Sequence, residues 1–141
     1  PHAEVPFHDR AHGPYSQNVA AHTGDFVLLR ADGFYAYQLA VVIDDAHQSI
    51  THIVRGADLL DNTPRQLLLQ RALGFPQPAY FHHPLVLDPG GAKLSKQTRA
   101  RPIDDLDPTE ALREALAFLG LRASTLEEAI PEWRALWPTH L

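Results

Sequence analysis

Lys93-Leu94-Ser95-Lys96-Gln97 sets two ammonium groups three residues apart, directly after the turn-forming run Asp88-Pro89-Gly90-Gly91. Such a segment is free to project and close over a ligand. Its cations suit the oxygens of a polyphosphate, on which charge builds during phosphoryl or adenylyl transfer. Taken alone, five residues favour the plainer reading of a solvated turn with surface lysines. Arg55 closes the β-rich run 50–55 just before Gly56. It therefore stands at a strand's C-terminal end, where α/β sheets bind ligands, and its planar fork can take a carboxylate in bidentate fashion. The competing structural role is an ion pair with Asp44, Asp45 or Asp58.

Two further groupings invite a metal or acid/base reading and do not support one. Asp44 and Asp45 are adjacent on an expected helix, where neighbours point about 100° apart and cannot easily converge on one ion. A helix-end or packing role fits them better, with Asp44 on the face of Tyr37. His8 and His12 have the i, i+4 spacing of a helical zinc pair. Gly13-Pro14 follows at once and no third ligand is evident, so no metal site is expected in this chain. His82-His83 precede the strand that leads to the lysine turn, and their types alone assign them no role.

These residues need elements to hold them. Residues 1–24 mix His, Pro, Gly and polar types and read as loop with one short strand. Residues 25–30 form a compact apolar run closed by Asp32-Gly33, which predicts a strand and a tight turn. Residues 34–45 are rich enough in aromatic and β-branched types for a strand, but their length and the Tyr37, Ala40, Val41, Asp44 spacing favour a helix from about Tyr37, followed by the strand carrying Arg55. Thr63-Pro64-Arg65-Gln66 matches a capping box in which Thr63 accepts from the backbone and Gln66 reaches back, opening a helix that Gly74 stops. Leu85-Val86-Leu87 reads as a short strand. Asp107-Pro108-Thr109-Glu110 opens another helix with Leu112, Leu116 and Leu119 on one face, and Ser124-Thr125-Leu126-Glu127 caps a shorter one. The pattern is α/β over residues 1–97, with a helical tail over 98–141.

Composition narrows the class. The 141 residues are 45% hydrophobic, enough for a real core. The formal net charge of −5 gives no bulk signature of nucleic-acid binding, although Lys93, Lys96, Arg99 and Arg101 make a local basic patch. Cysteine is absent, which excludes disulfides and thiolate metal sites here and is compatible with a reducing cytoplasm. No apolar run approaches the roughly 18 residues of a membrane span, so no membrane role is expected. Methionine is also absent, and the chain reads as an excerpt of a longer protein.

The strand, turn and KLSKQ sequence resembles the KMSKS signature loop of class I aminoacyl-tRNA synthetases. Upstream, FYAYQLAVVIDDAHQSITHIVRGADLLDNTPRQLLLQRALG, residues 34–74, is similar to the matching stretch of glutamyl-tRNA synthetases and their truncated paralogues. Order, spacing and wording agree over about half the chain. The resemblance is strongest to the glutamyl-queuosine tRNA(Asp) synthetase branch: KLSKQ lacks the Arg usual after the second Lys in discriminating enzymes, ADGFYAYQLA matches the truncated wording, and only 44 residues follow Gln97.

That resemblance implies the second half of a Rossmann-like catalytic domain followed by a small helical stem-contact region. It implies Tyr37 and Arg55 as glutamate-binding residues, with Arg55 on the side-chain carboxylate. Lys96 and Lys93 are implied as catalytic and ATP-binding, with Ser95 also at ATP. The implied reaction is a monomeric, cytoplasmic ligase's formation of glutamyl-adenylate from L-glutamate and ATP with Mg2+, then transfer to tRNA(Asp), or to tRNA(Glu) in the alternative branch. The HIGH-type element, a Glu for the substrate ammonium and a zinc site often present in that branch are expected outside this chain. A non-catalytic RNA-binding module is the alternative from a different class.

Overall fold

The computed structural model describes residues 4–94, 102 and 105–136. It divides into two compact units, residues 1–83 and 84–141.

The first unit is built on a four-stranded sheet in the order β2-β1-β4-β3. Strands β1 (Glu4–Asp9) and β2 (Gly13–Asn18) form an antiparallel hairpin. Along β1 the burial alternates strictly, Val5, Phe7 and Asp9 inward and Glu4, Pro6 and His8 outward, as a half-buried strand requires. One expected short strand in this region is thus a pair of strands. His8 and His12 lie on a strand and in the turn after it, not on one helical face. Gly13, at φ 75°, closes that turn in a conformation that suits glycine.

Strand β4 (Ala79–His83) runs parallel to both β1 and β3 (His52–Gly56), and Arg55 lies in register with His82. The pairing of β1 with β4 continues one step further through the bond from Arg10 N to Tyr80 O at 3.0 Å. A four-residue helix, α1 (Val19–His22), follows β2 and is capped by the Asn18 side chain.

Helix α2 (Tyr37–His47) begins where the sequence places it. Helix α3 (Thr63–Leu73) also forms and ends on Gly74 in the left-handed conformation, φ 71°. Its start differs from the capping-box expectation. A 3-10 turn (Ala57–Asn62) runs directly into α3, so Thr63 is already helical and the side chain of the cap residue Asn62 makes no capping bond. Thr63 and Gln66 are freed for other bonds. Gln66 Nε2 donates to Gln38 Oε1 at 2.9 Å, and Gln38 Nε2 donates to Asn62 Oδ1 at 2.5 Å, which ties α3 to α2 through a polar ladder. The core beneath comprises Val5, Phe7, Val19, Leu67 and Tyr80, with Tyr15, Phe26, Ile53, Leu60 and Leu68 packed against it.

The apolar run 25–30 does not make a full strand. It contributes one antiparallel bridge, Leu29 to Tyr35, around the expected turn, where Gly33 has φ 84°. Val27, Leu29, Phe34 and Tyr35 remain exposed; with a single bridge there is no sheet face for their side chains to cover.

In the second unit, the expected strand 85–87 is likewise one bridge, Leu87 to Lys93. Bonds from Leu94 N to Val86 O and from Asp88 N to Ala92 O close a small hairpin whose tip is Asp88-Pro89-Gly90-Gly91. Helix α4 (Pro108–Phe118) opens on Asp107, whose carboxylate accepts from the amides of Thr109 and Glu110 at 3.0 and 3.1 Å. Helix α5 (Leu126–Leu136) is as long as α4 rather than shorter. Thr125 Oγ1 accepts from the Glu128 amide, and the Glu128 carboxylate reaches back to Ser124. Leu116, Leu121 and Ala129 form this unit's own small core, with Leu112, Leu119 and Trp133 against it. No helix among the described residues is long and apolar enough to cross a membrane.

Candidate active site

Three parallel strands bring their C-terminal ends together, and each contributes one polar side chain to a single buried network. Asp9 ends β1, His82 is the penultimate residue of β4 and Arg55 is the penultimate residue of β3. Asp9 and His82 are fully buried. Their contact is His82 Nδ1 to Asp9 Oδ2 at 2.6 Å. Asp9 Oδ1 accepts from the amides of Ala11 and His12, both at 3.0 Å, so one carboxylate orders the β1–β2 turn and holds the imidazole.

On the other edge of the imidazole, Arg55 Nε donates to His82 Nε2 at 2.9 Å. Arg55 Nη2 donates to Thr63 Oγ1 at 2.8 Å and to the Leu59 carbonyl at 3.4 Å. The guanidinium carbon lies 5.4 Å from the centre of the Tyr80 ring, within cation–π range. Tyr80 is itself stacked on His82, with 6.0 Å between ring centres and 8° between planes. Gln70 Nε2 anchors the Tyr80 hydroxyl at 3.1 Å. The helix start at Thr63, the 3-10 turn and strand β4 together fix the orientation of Arg55.

Electrostatics follows from this packing. Burial pushes the Asp9 carboxyl up, but its bonds from His82, His12 and Ala11 outweigh that and hold it below the ordinary value. Burial lowers the His82 pKa, against the pull of Asp9 and with help from the nearby charge of Arg55. Burial raises the carboxyl of Asp45 above its usual range despite the opposing field of Arg55. The bonded partners of Arg55 are thus His82, Thr63 and Leu59, all neutral acceptors. The carboxylates proposed as its structural partners do not take those places.

The catalytic-domain family described as tRNA synthetases class I (E and Q) matches residues 2–132 of this sequence. The chain belongs to that family. Among its relatives, a glutamyl-Q tRNA(Asp) synthetase of Xanthomonas oryzae is 60% identical over 89% of this chain and 42% of its own length. One from Leptothrix cholodnii is 56% identical over 96% of this chain and 47% of its own length. Of the solved structures, a glutamate tRNA ligase from Elizabethkingia meningosepticum, crystallised in complex with its amino acid, matches with TM-score 0.62 and 33% identity over 72% of this chain and 21% of that one. The glutamate-tRNA synthetase of Elizabethkingia anophelis matches with TM-score 0.63. The chain spans less than half the length of the curated relatives it matches.

Within this class I synthetase chain, the expected site residues fall as follows. Arg55 occupies the strand end that the sequence indicates. Tyr37 is the first residue of α2 and half exposed. Lys93 is exposed on the returning arm of the 86–94 hairpin in the second unit. Ser95 and Lys96, like Arg99 and Arg101, lie outside the described residues. Asp44 is exposed and Asp45 partly buried on α2, and among the described residues no group of three or more His, Cys, Asp or Glu side chains could hold a metal ion.

Asp9 and His82 carry no local signature of this pairing: composition predicts mainly loop around Asp9, and the types of His82 and His83 alone assign them no role. The alternation Val5, Phe7, Asp9 was the available signal for β1. No local signal links Asp9 to a histidine 73 positions away.

Proposed function

We propose that this chain is the glutamate-binding part of an ATP-dependent ligase that charges queuosine of tRNA(Asp). Arg55 carries the reading. Its guanidinium stands at the carboxyl ends of parallel strands, oriented by His82 and Thr63 while no carboxylate shares its bonds. Such a cation attracts a carboxylate and disfavours an amide, which presents donors of its own. Tyr37 supplies a phenol for the substrate's remaining polar groups.

In the proposed reaction the α-carboxylate of glutamate attacks the α-phosphorus of ATP. The bond to the β-phosphate bridging oxygen breaks and pyrophosphate leaves with the electron pair. A nucleophile of the modified anticodon base then attacks the acyl carbon and releases AMP. Lys96 and Lys93, with Ser95, bind the phosphates and offset their developing charge. Mg2+ enters with ATP as part of the substrate complex.

Identities of 54–61% to relatives named glutamyl-Q tRNA(Asp) synthetase, against 33% to a glutamate tRNA ligase, support tRNA(Asp) over tRNA(Glu) as the acceptor. The test is a charging assay of the full-length protein with tRNA(Asp) carrying or lacking queuosine, beside tRNA(Glu). Glutamate should attach only to queuosine-containing tRNA(Asp). Charging of tRNA(Glu) alone would support the discriminating synthetase instead, and absence of glutamate-dependent ATP–pyrophosphate exchange would support a non-catalytic RNA-binding module.

A further inference from the structure

The Asp9–His82 pair has a proton arrangement that its neighbours dictate. Arginine has no acceptor, so the bond from Arg55 Nε requires a lone pair on His82 Nε2. The single ring proton must then be on Nδ1, where it is donated to Asp9 Oδ2 at 2.6 Å. Asp9 is an acceptor throughout, serving the amides of Ala11 and His12 and, at 3.4 Å, that of His82.

A fully buried carboxylate and imidazole are a costly way to fill space, and packed apolar side chains of similar volume often do as well or better. What the pair supplies is direction. His82 orients the guanidinium through a neutral acceptor, and the imidazole ring keeps the charge of Asp9 from pairing directly with Arg55. A carboxylate in the place of His82 would neutralise the cation that a substrate anion needs. Nε and Nη2 are spent on His82, Thr63 and Leu59, and the two donors of Nη1 have no partner among the described residues.

We propose that Asp9 and His82 are positioning residues for Arg55, fixing its guanidinium so that the Nη1 edge meets the side-chain carboxylate of the amino-acid substrate and discriminates glutamate from glutamine. This inference rests on the reading of Arg55 as the carboxylate receptor. Asp9→Asn is the sharpest probe, because Oδ1 must still serve the two turn amides. The amide nitrogen then faces His82 Nδ1 and drives the ring proton to Nε2, against Arg55.

The experiment combines imidazole 15N NMR of the full-length protein with glutamate, glutamine and ATP titrations in pyrophosphate exchange. Wild type should show His82 protonated on Nδ1. Asp9→Asn should move that proton to Nε2, raise the KM for glutamate at least about tenfold, leave the KM for ATP within about twofold and narrow the preference over glutamine. His82→Gln, whose Oε1 can again accept from Arg55, should recover most of the glutamate affinity that His82→Leu loses. A wild-type His82 protonated on Nε2 overturns the inference even if no variant folds. So does a proton shift in Asp9→Asn with unchanged glutamate kinetics while Arg55→Ala is impaired. If Arg55→Ala also leaves glutamate use unchanged, the failure lies in the assignment of Arg55.

Discussion

Asp9 and His82 meet at 2.6 Å with both side chains excluded from solvent, one at the end of β1 and the other on β4. The groups facing the imidazole are Asp9 from β1, Arg55 from β3, Thr63 from α3 and Tyr80 on its own strand, while His12 from the turn bonds the His82 carbonyl. This arrangement holds the folded pKa of both Asp9 and His82 below the ordinary values.

The unfolded chain therefore takes up protons before the folded one does, and stability is lost as pH falls. The His82 contribution is complete above its unfolded pKa of about 6.5 and declines below it, and that of Asp9 declines below about 3.9. The unfolding free energy from urea titration should drop between pH 7 and pH 5, by at most about 1.4 kcal/mol per pH unit for one proton, and drop again in stronger acid. His82→Gln should flatten the upper step. A midpoint independent of pH from 7 to 5 in the wild type would contradict a buried neutral imidazole.

Lys96 belongs to the proposed phosphate-binding segment. Lys96→Ala should slow glutamate-dependent ATP–pyrophosphate exchange by at least about tenfold, roughly 1.4 kcal/mol of transition-state stabilisation. An unchanged exchange rate removes Lys96 from the mechanism.

Leu67 points from α3 into the core of the first unit and is fully buried. Leu67→Ala should cost about 2–5 kcal/mol of unfolding free energy, from lost burial and from the cavity left behind. Denaturant titration measures it, and a loss under about 1 kcal/mol would mean that the packing between α3 and β1 is looser than described.

Asp107 caps α4 through two backbone amides. Asp107→Ala should destabilise this helix by about 0.5–2 kcal/mol, whereas Asp107→Asn, which keeps an accepting oxygen, should cost much less. Amide hydrogen exchange over residues 108–118 reads the difference directly. Equal protection in all three proteins would show that the cap contributes nothing.

The elements with strong local determinants were legible in the sequence. Residues 37–47 carry a helical period, 50–55 a run of β-branched residues, Gly74 a left-handed stop, and Asp107 a cap followed by proline. The failures share a cause, which is that long-range bonding overrode a local pattern. Thr63 looks like a helix cap, but the preceding 3-10 turn already satisfies the helix start, and its hydroxyl is used by Arg55. The proline and histidines of β1 obscured an alternation that pairing on both sides makes into a central strand. Residues 25–30 read as a strand from their own composition, yet a strand also needs neighbours, and they have a single bridge. At the site, the place of Arg55 at a strand's C-terminal end was legible from the β-rich run that stops at Gly56. The Asp9–His82 support was not, because it exists only once β1 and β4 lie side by side.

The account depends most on Arg55 acting as a receptor for the substrate's side-chain carboxylate. Titrating glutamate and ATP separately in pyrophosphate exchange, with wild type and Arg55→Ala matched for thermal stability, tests this most directly. The KM for glutamate should rise at least about a hundredfold, consistent with loss of a charge-assisted contact worth some 3 kcal/mol, while that for ATP stays within about twofold. An unchanged KM for glutamate, or equal losses for both ligands, would contradict it.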